Sequence, residues 1–346
     1  MRYYAAICGG LVMSLVVLEV FFRLLPVNST LGKVNTSAAE PYNRYAPNQK
    51  FVYSHGWAFD NPTRGVTNRE GFVNTRDFDS KNGVLVVGDS FMEAIMLPYQ
   101  DTLQGQLDQA LHGNVHSAAS AGNRLPDTLA LVRYFNQILA PQTVIIFIKT
   151  NELSNLLVPA KNGYNGFTDS NHQIALVHSP YKESTSRQLG HKSAFARYIF
   201  YNLKFPQWLS AAWPLHSASE QIEPISNAEK SEILEYYFSE MHKTLNASRV
   251  IFLIDGDRDA IYHNRIDSKT QAESEDMTLF SRMAAEHGFD VVDMHPVFEQ
   301  HWSTYHERMD FLPIDGHWNP VAQRLAAEAI LKKLHDDSKA YPDEIH

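Results

Sequence analysis

Five short runs of mostly apolar residues constrain the fold most: VLVVG at 84–88, NVHSAAS at 114–120, VIIFIK at 144–149, RVIFLID at 249–255 and FDVVDM at 289–294. Runs of this length with little polar alternation mark strands covered on both faces. Between them lie stretches with helical spacing: DTLQGQLDQAL at about 101–111, PDTLALVRYFNQIL at 126–139, AEKSEILEYYFSEMHKTL at 228–245 and TLFSRMAAEHG at 278–288. Strands alternating with helices predict a parallel sheet with helices on both sides, an α/β fold in three layers. Near the end, DGHWNP precedes VAQRLAAEAILKKL; Asn319 suits an N-cap and Pro320 a first helical position, so a helix is predicted from there to about Leu334. Asp315 and His317 then fall on the loop that feeds this helix.

The amino-terminal segment is of a different kind. Tyr3 to Leu18 carries no charge, and the apolar stretch continues through Phe21 and Phe22 with Glu19 and Arg23 as its only interruptions. That approaches the ~20 residues needed to cross a bilayer, and the acid-first i,i+4 order of Glu19 and Arg23 favours a helical pair near the interface. A cleaved signal peptide is the competing reading, but its apolar region is usually only ~7–15 residues long. Residues 1–26 are therefore expected to be an uncleaved, single-pass anchor in a bacterial inner membrane, with the rest of the chain in the periplasm or cell exterior. Residues 27–50 are polar and aperiodic and read as a linker. Residues 51–337 read as the catalytic domain, with a helical insertion at about 155–226 over the sheet's carboxyl edge, and 338–346 as a frayed tail.

Composition excludes several classes. The net charge of −9 and the absence of any Lys/Arg-rich run argue against a nucleic-acid partner. Cys8 is the only cysteine, so neither an intramolecular disulfide nor a thiolate metal cluster can form. The sixteen histidines show no HExxH or paired spacing. No metal and no cofactor are expected.

Ligand sites in open α/β sheets lie beyond the carboxyl ends of the strands. Ser90 follows the first run, Gly122 and Asn123 the second, and Asn151 the third, while Asp315 and His317 sit in the last loop. Serine, histidine and an acid are the parts of a nucleophile that works at neutral pH, and backbone N–H groups with an amide can stabilise the oxyanion. Other polar residues are weaker candidates. Asp255-Gly256-Asp257-Arg258 reads as an acidic turn with a surface arginine, Arg124 as a solvated loop charge, and Asp293 and His295 as loop hydrogen-bonding residues.

The order GDSF, SAASAGN, KTNE and DGHW resembles the blocks of the SGNH, or GDSL, hydrolase superfamily over about residues 84–335. The resemblance implies a flavodoxin-like α/β/α fold, Ser90 as nucleophile, His317 as base and Asp315 as its orienting acid. It also implies an oxyanion hole from the Ser90 and Gly122 N–H groups and the Asn151 amide. Two blocks depart from the common pattern. Lys149-Thr150-Asn151-Glu152 replaces Gly-x-Asn-Asp, and the acid stands two rather than three residues before the histidine, Ile314 taking the usual acid position. Asp-x-His-Trp, together with the anchor and TNREGFVN at 67–74, is similar to the membrane-associated branch acting on exopolysaccharides, including alginate O-acetyltransferases. The expected activity is hydrolysis of acyl, chiefly acetyl, esters on an extracytoplasmic glycan. Acyl transfer to exopolysaccharide, a non-catalytic glycan-binding or assembly role, and lipid esterase or thioesterase activity stand as alternatives.

Overall fold

The computed structural model describes residues 2–171, 173–205, 225–265, 267–313 and 315–340. A hairpin of β1 (Lys50–His55) and β2 (Asp60–Val66) precedes the central sheet. That sheet is built from β3 (Val84–Gly88), β4 (Val115–Ala119) and β5 (Thr143–Ile148). A second hairpin, β6 (Asn165–Asp169) and β7 (Ile174–His178), intervenes before the last two sheet strands, β8 (Arg249–Ile254) and β9 (Asp290–Asp293). The sheet order is β4-β3-β5-β8-β9 and every pairing is parallel, the flavodoxin-like arrangement.

The two-residue periodicity of the strands sorts their side chains into two cores. Leu85, Val87, Val144, Ile146, Ile148, Val250 and Phe252 pack with Leu129, Phe135, Leu234, Phe238 and Phe280 from the helices Leu125–Leu139, Asn227–Thr244 and Ser268–Glu286. Val86, Ile145, Phe147, Ile251 and Leu253 face the other way, onto Leu103, Leu107, Phe298, Trp318, Ala322 and Ile330. Apolar burial at roughly 25 cal/mol per Å² on both faces is what holds the three layers.

The expected strands and helices form, with differences at some boundaries. Asn319 caps the last helix as its side chain accepts from the Val321 and Ala322 N–H groups at 3.0 and 3.2 Å, but this helix continues to Ala340. The helix expected at 278–288 begins at Ser268, where Asp267 accepts from the Thr270 N–H at 2.9 Å. Its first two turns are mostly exposed and so carry no apolar periodicity.

Residues 27–50 do not form a free tether. Val27, Leu31, Tyr42 and Tyr45 are buried, Tyr42 lying against Phe72, Tyr134 and Phe135. The Pro41 carbonyl accepts from Asn165 Nδ2 at 2.7 Å, so the polar stretch is irregular chain wrapped on the domain. Within the expected helical insertion, the described part opens with the β6–β7 hairpin, which buries Phe167 beside Tyr236 and Tyr237. Short helices Thr185–Gly190 and Ala194–Arg197 follow, and 206–224 lie outside the described residues.

The helix Arg2–Arg23 is long and apolar enough to cross a membrane. Near its end Arg23 pairs with Glu19 at 2.7 Å.

Candidate active site

Gly88 ends β3 where there is room only for a residue without a side chain: a Cβ there would lie 2.6 Å from Met92 Cγ and 3.1 Å from Phe147 Cβ. The turn carries Ser90 to the carboxyl edge of the sheet, as the first residue of a one-turn helix, Ser90–Glu93. Asp89 accepts from the Phe91 N–H at 2.9 Å and braces that turn. The far end of the helix is held as well. Asn74 Nδ2 donates to the Ala94 carbonyl at 2.7 Å, Gln104 Nε2 to the Met92 carbonyl and Gln323 Nε2 to the Phe91 carbonyl, both at 2.9 Å.

Asp315 and His317 lie on a short strand, β11 (Asp315–Trp318), rather than on an open loop; it pairs antiparallel with β10 (Asp310–Phe311). His317 Nε2 stands 2.8 Å from Ser90 Oγ and His317 Nδ1 stands 2.6 Å from Asp315 Oδ1. With the Nδ1 proton directed at the carboxylate, Nε2 is left to accept from the Ser90 hydroxyl. The spacing of two between acid and base is closed by a second contact, the His317 N–H donating to Asp315 Oδ1 at 3.2 Å. Ile314, at the position where the common pattern has its acid, lies outside the described residues.

Burial pushes the Asp315 carboxyl up, but the hydrogen bonds and charge of His317 outweigh it and hold the group at about 2. Two residues absent from the sequence reading complete its surroundings. Tyr53 Oη donates to Asp315 Oδ2 at 3.2 Å, and His55 Nδ1 lies 3.8 Å from the same oxygen. Both come from β1, where FVYSH sends alternate side chains to the same face.

β11 is fixed from behind. Trp318 is fully buried and its Nε1 donates to Asp255 Oδ1 at 2.8 Å. Arg258 pairs with Asp255 and donates to the Gly316 carbonyl at 3.1 Å. Its side chain is only 12% exposed, so the expected surface arginine is a buried clamp on the DGHW strand. Arg124 is likewise no solvated charge: it donates to the carbonyls of Val158 and Asn165, each at 3.1 Å. Asp293 and His295 do serve the loops, Asp293 accepting from the His295 N–H at 2.8 Å and His295 Nδ1 from the Asp257 N–H at 3.2 Å.

Gly122 has φ +88°, the left-handed region, and a Cβ there would meet Tyr164 Oη at 2.8 Å. Among the described residues, no backbone hydrogen bond of a turn, loop or cap uses the N–H of Ser90 or Gly122. Neighbouring Asn123 is buried and ties the two loops together, Nδ2 donating to the Gly88 carbonyl at 3.0 Å. Asn151 is exposed just beyond β5, and its carbonyl accepts from Ser154 Oγ at 2.8 Å. Among the described residues its amide makes no hydrogen bond to Ser90 or Gly122.

The unusual third block has a structural role. Lys149 Nζ pairs with Asp89 Oδ2 at 2.9 Å, and Glu152 accepts from the Leu125 N–H at 2.6 Å at the start of the helix Leu125–Leu139. Burial raises Glu152 to about 7 in spite of Lys149. Glu93, also buried and on the same one-turn helix as Ser90, is pushed up to about 7 by burial, against hydrogen bonds from Tyr45 and the Ala121 N–H. Among the described residues no group of three or more His, Cys, Asp or Glu side chains is placed to hold a metal ion.

Residues 206–344 match the family model described as "SGNH hydrolase-like domain, acetyltransferase AlgX". No curated protein matches the chain. Among solved structures, an alpha/beta hydrolase enzyme from the metagenome of Lake Arreo is 16% identical, covering 74% of this chain and 96% of its own, with a TM-score of 0.43. A lipolytic G-D-S-L family protein from Veillonella parvula is 12% identical over 72% of this chain and 96% of its own, TM-score 0.39. A catalytic mutant of an acetylxylan esterase from Geobacillus stearothermophilus is 14% identical over 73% and 94%, TM-score 0.40. The match makes the carboxyl-terminal two-fifths of the chain similar to an SGNH hydrolase-like, AlgX-type domain, and the GDSF, SAGN, KTNE and DGHW blocks, which resemble those of the SGNH, or GDSL, superfamily, lie in order along the five-stranded parallel sheet.

Proposed function

We propose that this chain is a serine-dependent acyl-ester enzyme, anchored in the inner membrane by its amino-terminal helix and acting on an acylated glycan outside the cytoplasm. The observation that carries the proposal is the continuous hydrogen-bond chain from Ser90 Oγ through His317 to Asp315, at 2.8 and 2.6 Å. In the reading, Ser90 Oγ attacks the ester carbonyl carbon while its proton passes to His317 Nε2. Asp315, ionised throughout, holds the Nδ1 proton and the imidazolium charge. The oxyanion sits on the Ser90 and Gly122 N–H groups. Asn151, beyond the neighbouring strand, supplies a third donor when substrate is bound. As the tetrahedral intermediate collapses, its bond to the sugar oxygen breaks, that oxygen takes the proton from His317 Nε2 and leaves as the free sugar hydroxyl, and an acyl-Ser90 ester remains. Water resolves that ester in the hydrolase reading.

A second reading, in which another sugar hydroxyl resolves the acyl-enzyme, is favoured by the family match to an acetyltransferase domain over 206–344. A cavity of about 930 Å³ beyond β8 and β9, lined by Thr150, Asp257, Arg265, Glu273 and His295 but by none of Ser90, Asp315 and His317, carries polar side chains beside the site rather than in it. The test is a fluorophosphonate probe followed by mass spectrometry, alongside turnover of nitrophenyl acetate. An adduct on Ser90, with turnover abolished in Ser90→Ala, is expected; no adduct and unchanged turnover would overturn the enzyme reading. Acetate release against acetyl appearing on an added oligosaccharide then separates hydrolysis from transfer.

A further inference from the structure

We propose that the catalytic domain has a second hold on the bilayer. Its seat consists of the basic, aromatic segment Ser184–Phe205 and the tip of the β1–β2 hairpin, and its partner is the headgroup layer of the membrane crossed by the helix Arg2–Arg23. The inference rests on the anchoring reading and adds to it where the domain sits.

The depth of the seat follows from helix geometry. Tyr3–Leu18, without charges, rises only about 24 Å at 1.5 Å per residue, short of the ~30 Å hydrocarbon core. The turn Glu19–Phe22 must complete the span, and whatever packs on that turn lies at the boundary between headgroups and acyl chains. What packs there is the segment 192–198. Glu19 accepts from Ser193 Oγ at 2.8 Å and from the Ala194 and Phe195 N–H groups at 3.0 and 3.1 Å. Arg23 donates to the Lys192 carbonyl at 3.2 Å, and Phe22 stacks on Tyr198 with ring centroids 4.2 Å apart. A carboxylate in an otherwise apolar span is thereby satisfied from within the protein.

The composition of the segment fits that depth. From Ser184 to Phe205 the sequence contains no acidic residue but has Arg187, Lys192, Arg197 and Lys204, in a chain whose net charge is −9; Arg187 pairs with Glu183 at 3.5 Å and Arg197 lies half-buried near Glu19, which leaves Lys192 and Lys204 exposed for the headgroups. Phe200 on this segment is 56% exposed and Leu24, at the end of the span, 81%. Basic residues interleaved with exposed aromatic ones are the composition of a segment lying in an anionic interface. The hairpin reaches the same level: Tyr198 Oη donates to the Trp57 carbonyl at 3.2 Å, and the Trp57 side chain is 74% exposed.

This hairpin also touches the reacting groups. Trp57 is two residues from His55, a chain distance of at most about 7 Å, and His55 and Tyr53 border Asp315. The seat therefore holds the Ser90 site against the membrane surface, where an acyl group or glycan emerging from the bilayer would meet it.

Depth-dependent quenching tests this on the full chain. In a Cys8→Ser background, Trp57→Cys, Phe200→Cys and Lys81→Cys are each labelled with an environment-sensitive fluorophore and reconstituted into phosphatidylcholine/phosphatidylglycerol vesicles with brominated acyl chains. Lys81, exposed at the amino edge of the sheet, is the reference. Labels at 57 and 200 are expected to be quenched several-fold more than the label at 81. Circular dichroism melts show that each variant is folded, and the two seat positions test the same surface separately. Co-flotation with vesicles but water-like, unquenched labels at 57 and 200 would overturn the seat and leave the anchor standing. Blue-shifted labels that bromine does not quench would mean cover by protein, such as a second copy, and would also overturn it. Failure to co-float would overturn anchor and seat together.

Discussion

Replacing Lys149 by methionine tests why this chain departs from the usual glycine of the third block. Lys149 Nζ lies 2.9 Å from Asp89 Oδ2, with the Asp89 side chain 4% and the Lys149 side chain 29% exposed. At that distance the attraction is about 6 kcal/mol for an effective dielectric of 20. Part of it is offset by desolvation, and removing one partner of a buried pair costs about 3–5 kcal/mol. Because Lys149 keeps some contact with water, about 3 kcal/mol is expected for Lys149→Met. The loss should depend on pH in a definite direction. Glu152, at about 7 with Lys149 present, loses a favourable charge and moves higher, so the variant suffers most above pH 7, where Glu152 must ionise without it. Urea unfolding at pH 8 and pH 6 measures this, with the gap between variant and parent wider at pH 8. Adding Glu152→Gln should narrow the pH 8 gap. A loss below about 0.5 kcal/mol, or one equal at both pH values, would refute the assignment of Lys149 as the counter-charge beneath the nucleophile turn.

Three other perturbations address the site more directly. Asp315→Asn leaves the shape but reverses the preferred imidazole tautomer, so kcat for nitrophenyl acetate should fall about 10⁴-fold with little change in KM. Because Asp315 is held at about 2, its ionisation contributes stability above its ordinary value of 3.8 that is lost only as pH falls toward 2; kcat between pH 4 and 8 should accordingly show no limb that Asp315→Asn removes. Tyr53→Phe deletes the 3.2 Å donor to Asp315, a hydrogen bond to a charged group of about 1.5–3 kcal/mol, and should lower kcat some ten-fold or more while the fluorophosphonate adduct still forms on Ser90. Glu93 has its carboxyl raised from 4.5 to about 7, so the folded state holds this proton more tightly than the unfolded chain. Its contribution is complete below pH 4.5 and is lost as pH rises to 7, about 3 kcal/mol at most. Glu93→Gln should flatten the pH dependence of the melting temperature over that window and stabilise the protein at pH 8.

How much of this was legible before the fold follows from which residues chemistry or packing restricts to a few types. The sheet strands could be read because burial on both faces demands apolar residues at nearly every position, and the last helix because Asn319 and Pro320 suit only its beginning. That Ser90, Asp315 and His317 would meet could be read because only a few residue types suit nucleophilic and base chemistry, even with Ser90 and His317 227 positions apart. The supports were hidden for the converse reason. Tyr53 meets Asp315 across 262 positions and belongs to a six-residue strand whose alternation is too short to stand out. Arg124 and Arg258 look like surface charges in sequence, because a lone arginine in a loop gives no sign of the carbonyls or buried carboxylate that will receive it. Residues 27–50 lack periodicity for a related reason: their polar atoms pair with groups far along the chain, as Pro41 does with Asn165, rather than with their own neighbours.

The same asymmetry accounts for the third block. On the proposed reading, an asparagine that serves an oxyanion has few substitutes, so Asn151 keeps its place in the pattern, whereas the turn around it needs only something that settles Asp89 and the start of the helix Leu125–Leu139. Lys149 and Glu152 settle them with side chains, Lys149 on Asp89 and Glu152 on the Leu125 N–H. The substitution is therefore a pair and not two independent changes, and Lys149→Gly alone should be worse tolerated than Lys149→Gly with Glu152→Gln, since the single change leaves a buried carboxylate without the cation that lowers its cost. A double-mutant cycle by urea unfolding at pH 8 should return a coupling of about 1–2 kcal/mol, and strict additivity would separate the two residues.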